Sequence, residues 1–157
     1  MIRIRDAVLC IDSPILVIGA GGIGGQVALT LAKMGAEDIT VADGDRVSEE
    51  NVGTQIYGKE DIGYFKTVSL AEIVRRLVGD VRVKIHTTRI GRDYGAEIHG
   101  IVISAVDSIS SRQEIWDGIK DKDWSFYIDA RMGLTNLVVF VVEKGDETWY
   151  EEMLAKQ

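Results

Sequence analysis

The sequence predicts a doubly wound α/β fold, in which helices cover both faces of a mostly parallel β-sheet. Short apolar runs rich in β-branched residues alternate along the chain with longer stretches of helical periodicity, and a glycine-rich turn joins the first such pair. With 157 residues, 46% of them hydrophobic and 27% charged, the chain is expected to form a single domain over 1–157.

The first strand and helix carry the clearest signals. Pro14 opens the apolar run ILVI, which predicts a buried strand over 14–19. Apolar residues then recur at helical spacing from Ile23 to Met34, and Gly35 is placed to end that helix. This pair is the first β-α unit of the predicted fold.

The remaining elements continue the same alternation. The predicted strands span 38–43, 81–87, 100–105, 125–129 and 134–143, and the predicted helices span 66–77, 108–119 and 148–157. A polar loop is expected over 44–63, and a short helical or irregular crossover over 93–98. Because no helix separates the last two strands, the sixth strand is expected to run antiparallel to the fifth.

Composition argues against several classes of protein. The net charge of -7 disfavours a nucleic-acid-binding surface, and no apolar run approaches the roughly 18 residues that a membrane span requires. The first residues lack the apolar core of a signal peptide, so a cytoplasmic protein is predicted. Cys10, the one cysteine, cannot form an internal disulfide and is interpreted as a small buried hydrophobic residue.

A glycine-rich motif follows the first strand directly. Gly19, Gly21 and Gly24 form G-x-G-x-x-G at the opening of the first helix, where backbone N-H groups can approach a phosphate. Asp43 ends the second strand, at about the distance from the glycines where an acidic residue accepts hydrogen bonds from ribose hydroxyls. These features predict a Rossmann-like, nucleotide-binding fold, and they suit NAD as well as a mononucleotide.

Further motifs make the prediction more specific. The segments GAGGIGG, DGDRVSEEN, DIGYFK and SAVDS, in that order, resemble the E1-like activating family, which includes the ThiF, MoeB and HesA proteins and the adenylation domains of ubiquitin-activating enzymes. The resemblance extends over residues 15–140. It implies binding of ATP with Mg²⁺ and adenylation of the C-terminal carboxylate of a small ubiquitin-like or sulfur-carrier protein, and it also implies a homodimer.

The resemblance also implies roles for individual residues. Asp43 would hold the ribose, Asn51 and Lys66 would contact phosphates, and Asp107 would bind Mg²⁺. Lys66 and Asp107 are therefore the predicted catalytic residues, because attack by a carboxylate on the α-phosphorus concentrates negative charge that cations must stabilise. The predicted nucleotide-binding set comprises Gly19, Gly21, Gly22, Gly24, Asp43, Asp45, Asn51 and Lys66.

Some of these residues have simpler interpretations. Asp45 and Asn51 could cap the loop that contains them, since Asp and Asn side chains often bond to nearby backbone groups. Asp107 could serve as the N-cap of the helix that follows it. Lys66 begins a predicted helix, where the helix dipole disfavours a cation, and this favours a ligand role.

The sequence departs from the family pattern in ways that bear on activity. The segment NVGTQ places Thr54 where the family has an arginine in NxxRQ, and only Arg3 and Arg5 precede the first strand, where the family uses an arginine from an N-terminal helix. The tail DETWYEEMLAKQ lacks the cysteines of the family's zinc and thioester sites. The chain is therefore interpreted as a minimal or truncated member.

Three functions fit these observations. The first is an adenylating enzyme that acts on a carrier protein. The second is a degenerate member of the family that binds nucleotide and works with a partner, without adenylation activity. The third is an NAD-dependent oxidoreductase, which depends only on the glycine motif and Asp43.

Overall fold

The computed structural model describes residues 12–79, 81–133 and 135–157. The predictions for Arg3, Arg5 and Cys10 concern residues outside these ranges. The strands are β1 Ile15–Ile18, β2 Ile39–Ala42, β3 Val83–His86, β4 His99–Ser104, β5 Asp123–Met132 and β6 Leu137–Glu143. The helices are α1 Gly22–Met34, α2 Glu49–Val52, α3 Lys66–Val78, α4 Ile109–Ile119 and α5 Thr148–Ala155, with a 3-10 turn at Lys59–Asp61.

The strands form one six-stranded sheet in the order β3-β2-β1-β4-β5-β6. The first five strands are parallel, and β6 pairs antiparallel with β5. The predicted fold class and the reversed last strand are therefore confirmed. None of the helices within the described ranges is long and apolar enough to cross a membrane.

Two elements differ from the sequence-based predictions. β5 is longer than predicted because it pairs along one edge with β4 and along the other with β6. The loop predicted over 44–63 contains the short helix α2, which begins after Ser48 and carries Glu49 and Glu50 in its first turn, where the helix dipole favours acidic residues. The predicted crossover over 93–98 is irregular, with no helix.

Apolar side chains pack on both faces of the sheet. Buried residues of α1 and α3 pack with Val17 and Val41 on one face, and buried residues of α4 and α5 pack with Leu16 and Val102 on the other. β1 lies at the centre of the sheet and is buried along its whole length. The β1-α1 turn is thus attached to a central, fully buried strand.

The strand order brings the predicted site residues to one edge. β1 lies between β2 and β4 with all three strands parallel, so the segments that follow these strands emerge side by side. The chain continues to one side of β1 through β2 and to the other side through β4, which creates the crevice where open α/β sheets bind ligands.

Candidate functional site at the carboxyl edge of the sheet

The glycine loop contains two glycines that close packing requires. Gly19 has a φ of 93°, and a Cβ at this position would lie 2.8 Å from the carbonyl oxygen of Ala105. A Cβ on Gly24 would lie 1.8 Å from the carbonyl oxygen of Gly19. Gly21 and Gly22 have more room, since the nearest atoms to their Cβ positions are at 4.0 and 3.7 Å. These two glycines leave the N-terminus of α1 open to an anion.

Asp43 is held against the glycine loop. The backbone N-H of Ala20 donates to Asp43 Oδ2 at 2.7 Å, and the N-H of Asp45 donates to Oδ1 at 2.7 Å. Each carboxylate oxygen keeps a further lone pair with which to accept another hydrogen bond. The carboxylate is therefore oriented beside the loop and can accept from the two hydroxyls of a ribose.

Tyr57 anchors the same loop, a role that the sequence did not indicate. Its hydroxyl donates to the carbonyl oxygen of Ala20 at 2.5 Å, and the side chain is buried. Burial raises the pKa of Tyr57 well above its usual value, so the phenol stays protonated and keeps donating. The polar loop after β2 thereby fixes the backbone of the glycine loop.

Asp45 lies between two cations. Lys66 Nζ is 3.6 Å from Asp45 Oδ2, and Arg89 Nη2 is 2.8 Å from Asp45 Oδ1. The hydrogen bond from Arg89 is the largest cause that lowers the pKa of Asp45. Partial burial acts in the opposite direction, and the charge of Lys66 lowers the pKa further. Asp45 is therefore ionised at neutral pH and pairs with cations, so its side chain does not cap the loop. Its charge also compensates for the lysine at the start of α3.

The loop around α2 contains polar side chains that form hydrogen bonds with nearby backbone groups. Asn51 Oδ1 accepts from the backbone N-H of Ser48 at 3.0 Å, as its capping interpretation predicts. Thr54 lies just after α2 and donates its hydroxyl to the carbonyl oxygen of Glu50 in that helix, at 3.0 Å. Gln55 was not predicted as a site residue, although it closes the segment NVGTQ.

Gln55 lies directly beside the glycine loop. Its Nε2 is the nearest atom to the Cβ position of Gly21, and its Oε1 is buried with no hydrogen-bond partner within the described ranges. A buried carbonyl oxygen without a donor is unfavourable and indicates a place for a ligand or a water molecule.

Asp107 is exposed in the turn between β4 and α4. It forms no hydrogen bond or ion pair with another described residue. The N-cap of α4 is Ser108, whose Oγ accepts from the N-H of Ser111 at 3.1 Å, so the capping interpretation of Asp107 is wrong. The serine sits one position closer to the helix, and its hydroxyl oxygen accepts from a backbone N-H of the first turn.

The backbone on both sides of Asp107 is attached to a buried arginine. Arg112 is 3% exposed and donates to the carbonyl oxygens of Val106 and Ser108, which flank Asp107. It also donates to the carbonyl oxygen of Ala130 in β5 at 3.0 Å. Its Nε lies 3.0 Å from Asp129 Oδ1, within a buried ion pair. The turn that presents Asp107 is therefore fixed to β5 and α4.

The residues present are compatible with a magnesium ion bound together with a nucleotide. No cluster of three or more His, Cys, Asp or Glu side chains occurs within the described part of the chain, so a metal cage built from protein alone is not formed there. Mg²⁺ is commonly bound through one or two carboxylates, with phosphates and water completing its shell. Asp107 offers such a carboxylate next to Val106, which lies against the glycine loop.

The fold and the site together define a nucleotide-binding α/β domain. A glycine loop opens α1, an acidic residue follows β2, and a lysine and an aspartate lie at the same edge of the sheet. The chain belongs to the ThiF family, which matches residues 10–155. The family resemblance predicted from the sequence is confirmed.

Known proteins similar to the chain include one named an adenylyltransferase and sulfurtransferase and one named an activating enzyme. The chain is 36% identical over 110 residues to the adenylyltransferase and sulfurtransferase MOCS3-2 of Zea mays, covering 68% of this chain and 23% of that protein. It is 35% identical over 108 residues to the NEDD8-activating enzyme E1 catalytic subunit of Caenorhabditis elegans, covering 66% of this chain and 25% of that protein. The chain thus spans about a quarter of the length of these relatives.

A solved structure with the same fold contains ATP. The tRNA N6-threonylcarbamoyladenosine dehydratase TcdA of E. coli, in complex with ATP, matches with a TM-score of 0.59 at 27% identity. The match covers 72% of this chain and 49% of that chain.

Proposed function

We propose that the chain binds ATP with Mg²⁺ and adenylates the C-terminal carboxylate of a small ubiquitin-like or sulfur-carrier protein. The observation that carries the proposal is the meeting of the glycine loop, Asp43, Lys66 and Asp107 at one edge of the sheet. Support also comes from the relatives, one of which is named an adenylyltransferase, and from the ATP complex of TcdA.

Each residue has a chemical task in this reaction. The N-H groups at the start of α1 bind a phosphate, and Asp43 accepts hydrogen bonds from the ribose. Lys66, whose side chain is 11% exposed, stabilises the charge that develops at the α-phosphate more strongly than it would in open water. Mg²⁺, when bound through Asp107, neutralises further phosphate charge.

The reaction itself needs no general base. A carboxylate oxygen of the carrier forms a bond to the α-phosphorus, and the bond from that phosphorus to the leaving pyrophosphate oxygen breaks. The carboxylate is already ionised at neutral pH, so no proton has to be removed. Catalysis consists of positioning and charge stabilisation by the residues at the sheet edge.

A second candidate function is a nucleotide-binding partner without adenylation activity. The observation that favours it is Thr54, whose hydroxyl donates to the backbone of α2 and which provides no cation. An arginine in this kind of chemistry can contribute about a thousandfold or more to the rate. The two candidates share ATP binding and differ in catalysis.

The first test is ATP binding by calorimetry with Mg²⁺ present, alongside NADH. The wild-type protein is expected to bind ATP more tightly than NADH. Replacing Asp43 by asparagine is expected to weaken ATP binding about 10- to 100-fold, because a charged hydrogen-bond acceptor is lost. Asp38→Asn is the matched control, since this exposed carboxylate pairs with Lys84 at the opposite edge of the sheet. A wild-type protein that binds no ATP would show the proposal to be wrong.

The same preparations then separate the two candidates. ATP-pyrophosphate exchange is measured with small carrier proteins that end in Gly-Gly, taken from the same genome. Exchange that requires a carrier protein and is lost when Asp107 is replaced supports the adenylating enzyme. Tight ATP binding with no exchange supports the nucleotide-binding partner.

We also infer a homodimer in which a second copy covers an exposed apolar face of the sheet. This face is formed by the outward side chains of β5 and β6: Phe126, Met132, Leu137, Val139 and Val141. Val139 and Val141 are 51% and 54% exposed, and β6 is the outermost strand. The run from Leu137 to Val142 carries no charge. An apolar face of this kind is complementary to a copy of itself, and a two-fold interface brings two such copies together.

Val139→Lys is expected to convert the dimer to a monomer, because it places a charge in the middle of this face. Sedimentation velocity at micromolar concentration measures the change. Val68→Lys serves as the control, since Val68 is a 40% exposed valine on α3, away from β6. A wild-type protein that sediments as a monomer would contradict the inference.

A further inference from the structure

Arg89 is a cation at the site that no sequence motif indicated. Its Nη2 lies 2.8 Å from Asp45 Oδ1, while the other oxygen of the same carboxylate lies 3.6 Å from Lys66 Nζ. A buried lysine and an exposed arginine therefore share a single carboxylate. The two cationic groups lie within a distance that one polyphosphate can bridge.

The contact depends on the turn that follows β2. A Cβ on Gly44 would lie 3.0 Å from Arg89 Cγ and 3.2 Å from the backbone nitrogen of Arg89, so the turn packs closely on this arginine. The absence of a side chain at position 44 lets the stem of Arg89 pass beside the turn. Arg89 also lines an open cavity of about 660 Å³ with His86, Thr88 and other residues of the segment that follows β3.

The balance of charge at the site calls for a second cation. Asp43, Asp45 and Asp107 contribute three carboxylates, whereas Lys66 is the only cationic side chain predicted there beside the proposed Mg²⁺. A nucleotide triphosphate would add several more negative charges. Arg89 lies in the field of all three carboxylates, and its pKa is raised first by the hydrogen bond to Asp45 and then by the charges of Asp45, Asp43 and Asp107.

A purely structural ion pair does not account for this arrangement as well. The Arg89 and Asp45 side chains are 80% and 45% exposed, and exposed ion pairs of this kind contribute little to stability. Such a pair exchanges partners at little cost when a stronger anion arrives. A guanidinium binds phosphate with two parallel hydrogen bonds, which are stronger than a contact to an exposed carboxylate oxygen.

We propose that Arg89 contacts the phosphate chain of the bound nucleotide, leaving Asp45 to Lys66 when it does so. The inference rests on the proposed nucleotide site and adds a residue to it. Arg89 supplies a guanidinium from the β3 side of the site, whereas Thr54, on the α2 side, supplies none. The structure thereby identifies a source of positive charge that lies outside all the motifs read from the sequence.

The test measures binding of adenosine, AMP, ADP and ATP by calorimetry, with Mg²⁺ present, to the wild type and to Arg89→Gln and Arg89→Lys. The glutamine variant is expected to bind ATP about 10- to 100-fold more weakly, with a loss that grows with the number of phosphates and with unchanged adenosine binding. The lysine variant is expected to recover part of the loss, because it keeps the charge without the bidentate geometry. Arg82→Gln is the matched control, since it removes one exposed charge just before β3, at the opposite edge of the sheet.

Two outcomes would overturn the inference. An equal loss for adenosine and ATP would place the guanidinium on the base or ribose, and an unchanged affinity for all four ligands would leave Arg89 as a surface ion pair. Failure of the wild-type protein to bind ATP is a separate result, because it contradicts the proposed function itself. Wild-type binding with an unaffected glutamine variant contradicts only the role of Arg89.

Discussion

Replacing Asp129 by alanine is expected to destabilise the fold by about 3–5 kcal/mol, because it leaves a buried arginine without its counter-ion. Asp129 is 0% exposed, and its Oδ1 lies 3.0 Å from Nε of the buried Arg112. Its Oδ2 accepts from Arg131 Nε at 2.7 Å and from the Tyr150 hydroxyl at 2.8 Å. One carboxylate therefore connects β5 to both α4 and α5.

Denaturant unfolding followed by circular dichroism measures this change. Tyr150→Phe removes one donor without leaving a charge unpaired, and a loss of about 1 kcal/mol is expected for it. Asp121→Ala is the control, since this carboxylate is exposed after α4, and it should change stability by less than about 0.5 kcal/mol. If Asp129→Ala proved no more damaging than the control, the buried ion pair would not hold these helices in place.

Replacing Gly24 by alanine is expected to destabilise the domain by roughly 1–3 kcal/mol and to weaken ATP binding, because the new Cβ collides with backbone. The added carbon would lie 1.8 Å from the carbonyl oxygen of Gly19, and backbone cannot rotate away as a flexible side chain can. Alanine favours a helix over glycine by about 1 kcal/mol, which is too little to offset such a contact. The collision can be relieved only if α1 moves away from the glycine loop.

Gly22→Ala is the matched control for this prediction. It lies in the same loop at the first position of α1, and its nearest contact would be an ordinary 3.7 Å to the carbonyl oxygen of Thr54. Thermal unfolding should show little change or a small gain for this variant. Equal destabilisation by both substitutions would mean that general loop flexibility, and not the contact with Gly19, makes Gly24 necessary.

Most of the fold could be predicted because its signals are local. The apolar runs and helical spacings that define each element lie within the element itself, and the lack of a helix between the predicted strands 125–129 and 134–143 predicted the reversed strand. The ends of β5 could not be predicted in this way, since strand length there depends on pairing with both β4 and β6. Helix α2 was missed because its capping by Ser48 and Asn51 outweighs the loop-like composition around it.

The same distinction applies to the site. The glycine motif and Asp43 follow strands that the parallel order makes neighbours, so their proximity could be expected. Tyr57 contacts Ala20 across 37 positions of sequence, and Arg89 contacts Asp45 across 44, with no pattern that links either pair. Neither contact follows from the spacing of residues along the chain.

The order of the elements, the glycine loop and the carboxylates that follow β2 and β4 could therefore be predicted from the sequence alone. Only the tertiary structure decided that Asp45 holds two cations and that Tyr57 anchors the glycine loop. The physical reason is that strands and helices arise from periodic local patterns, whereas loop contacts depend on how closely two separate segments pack. At Gly44 the lack of a side chain lets the segment after β3 approach, which brings Arg89 to Asp45.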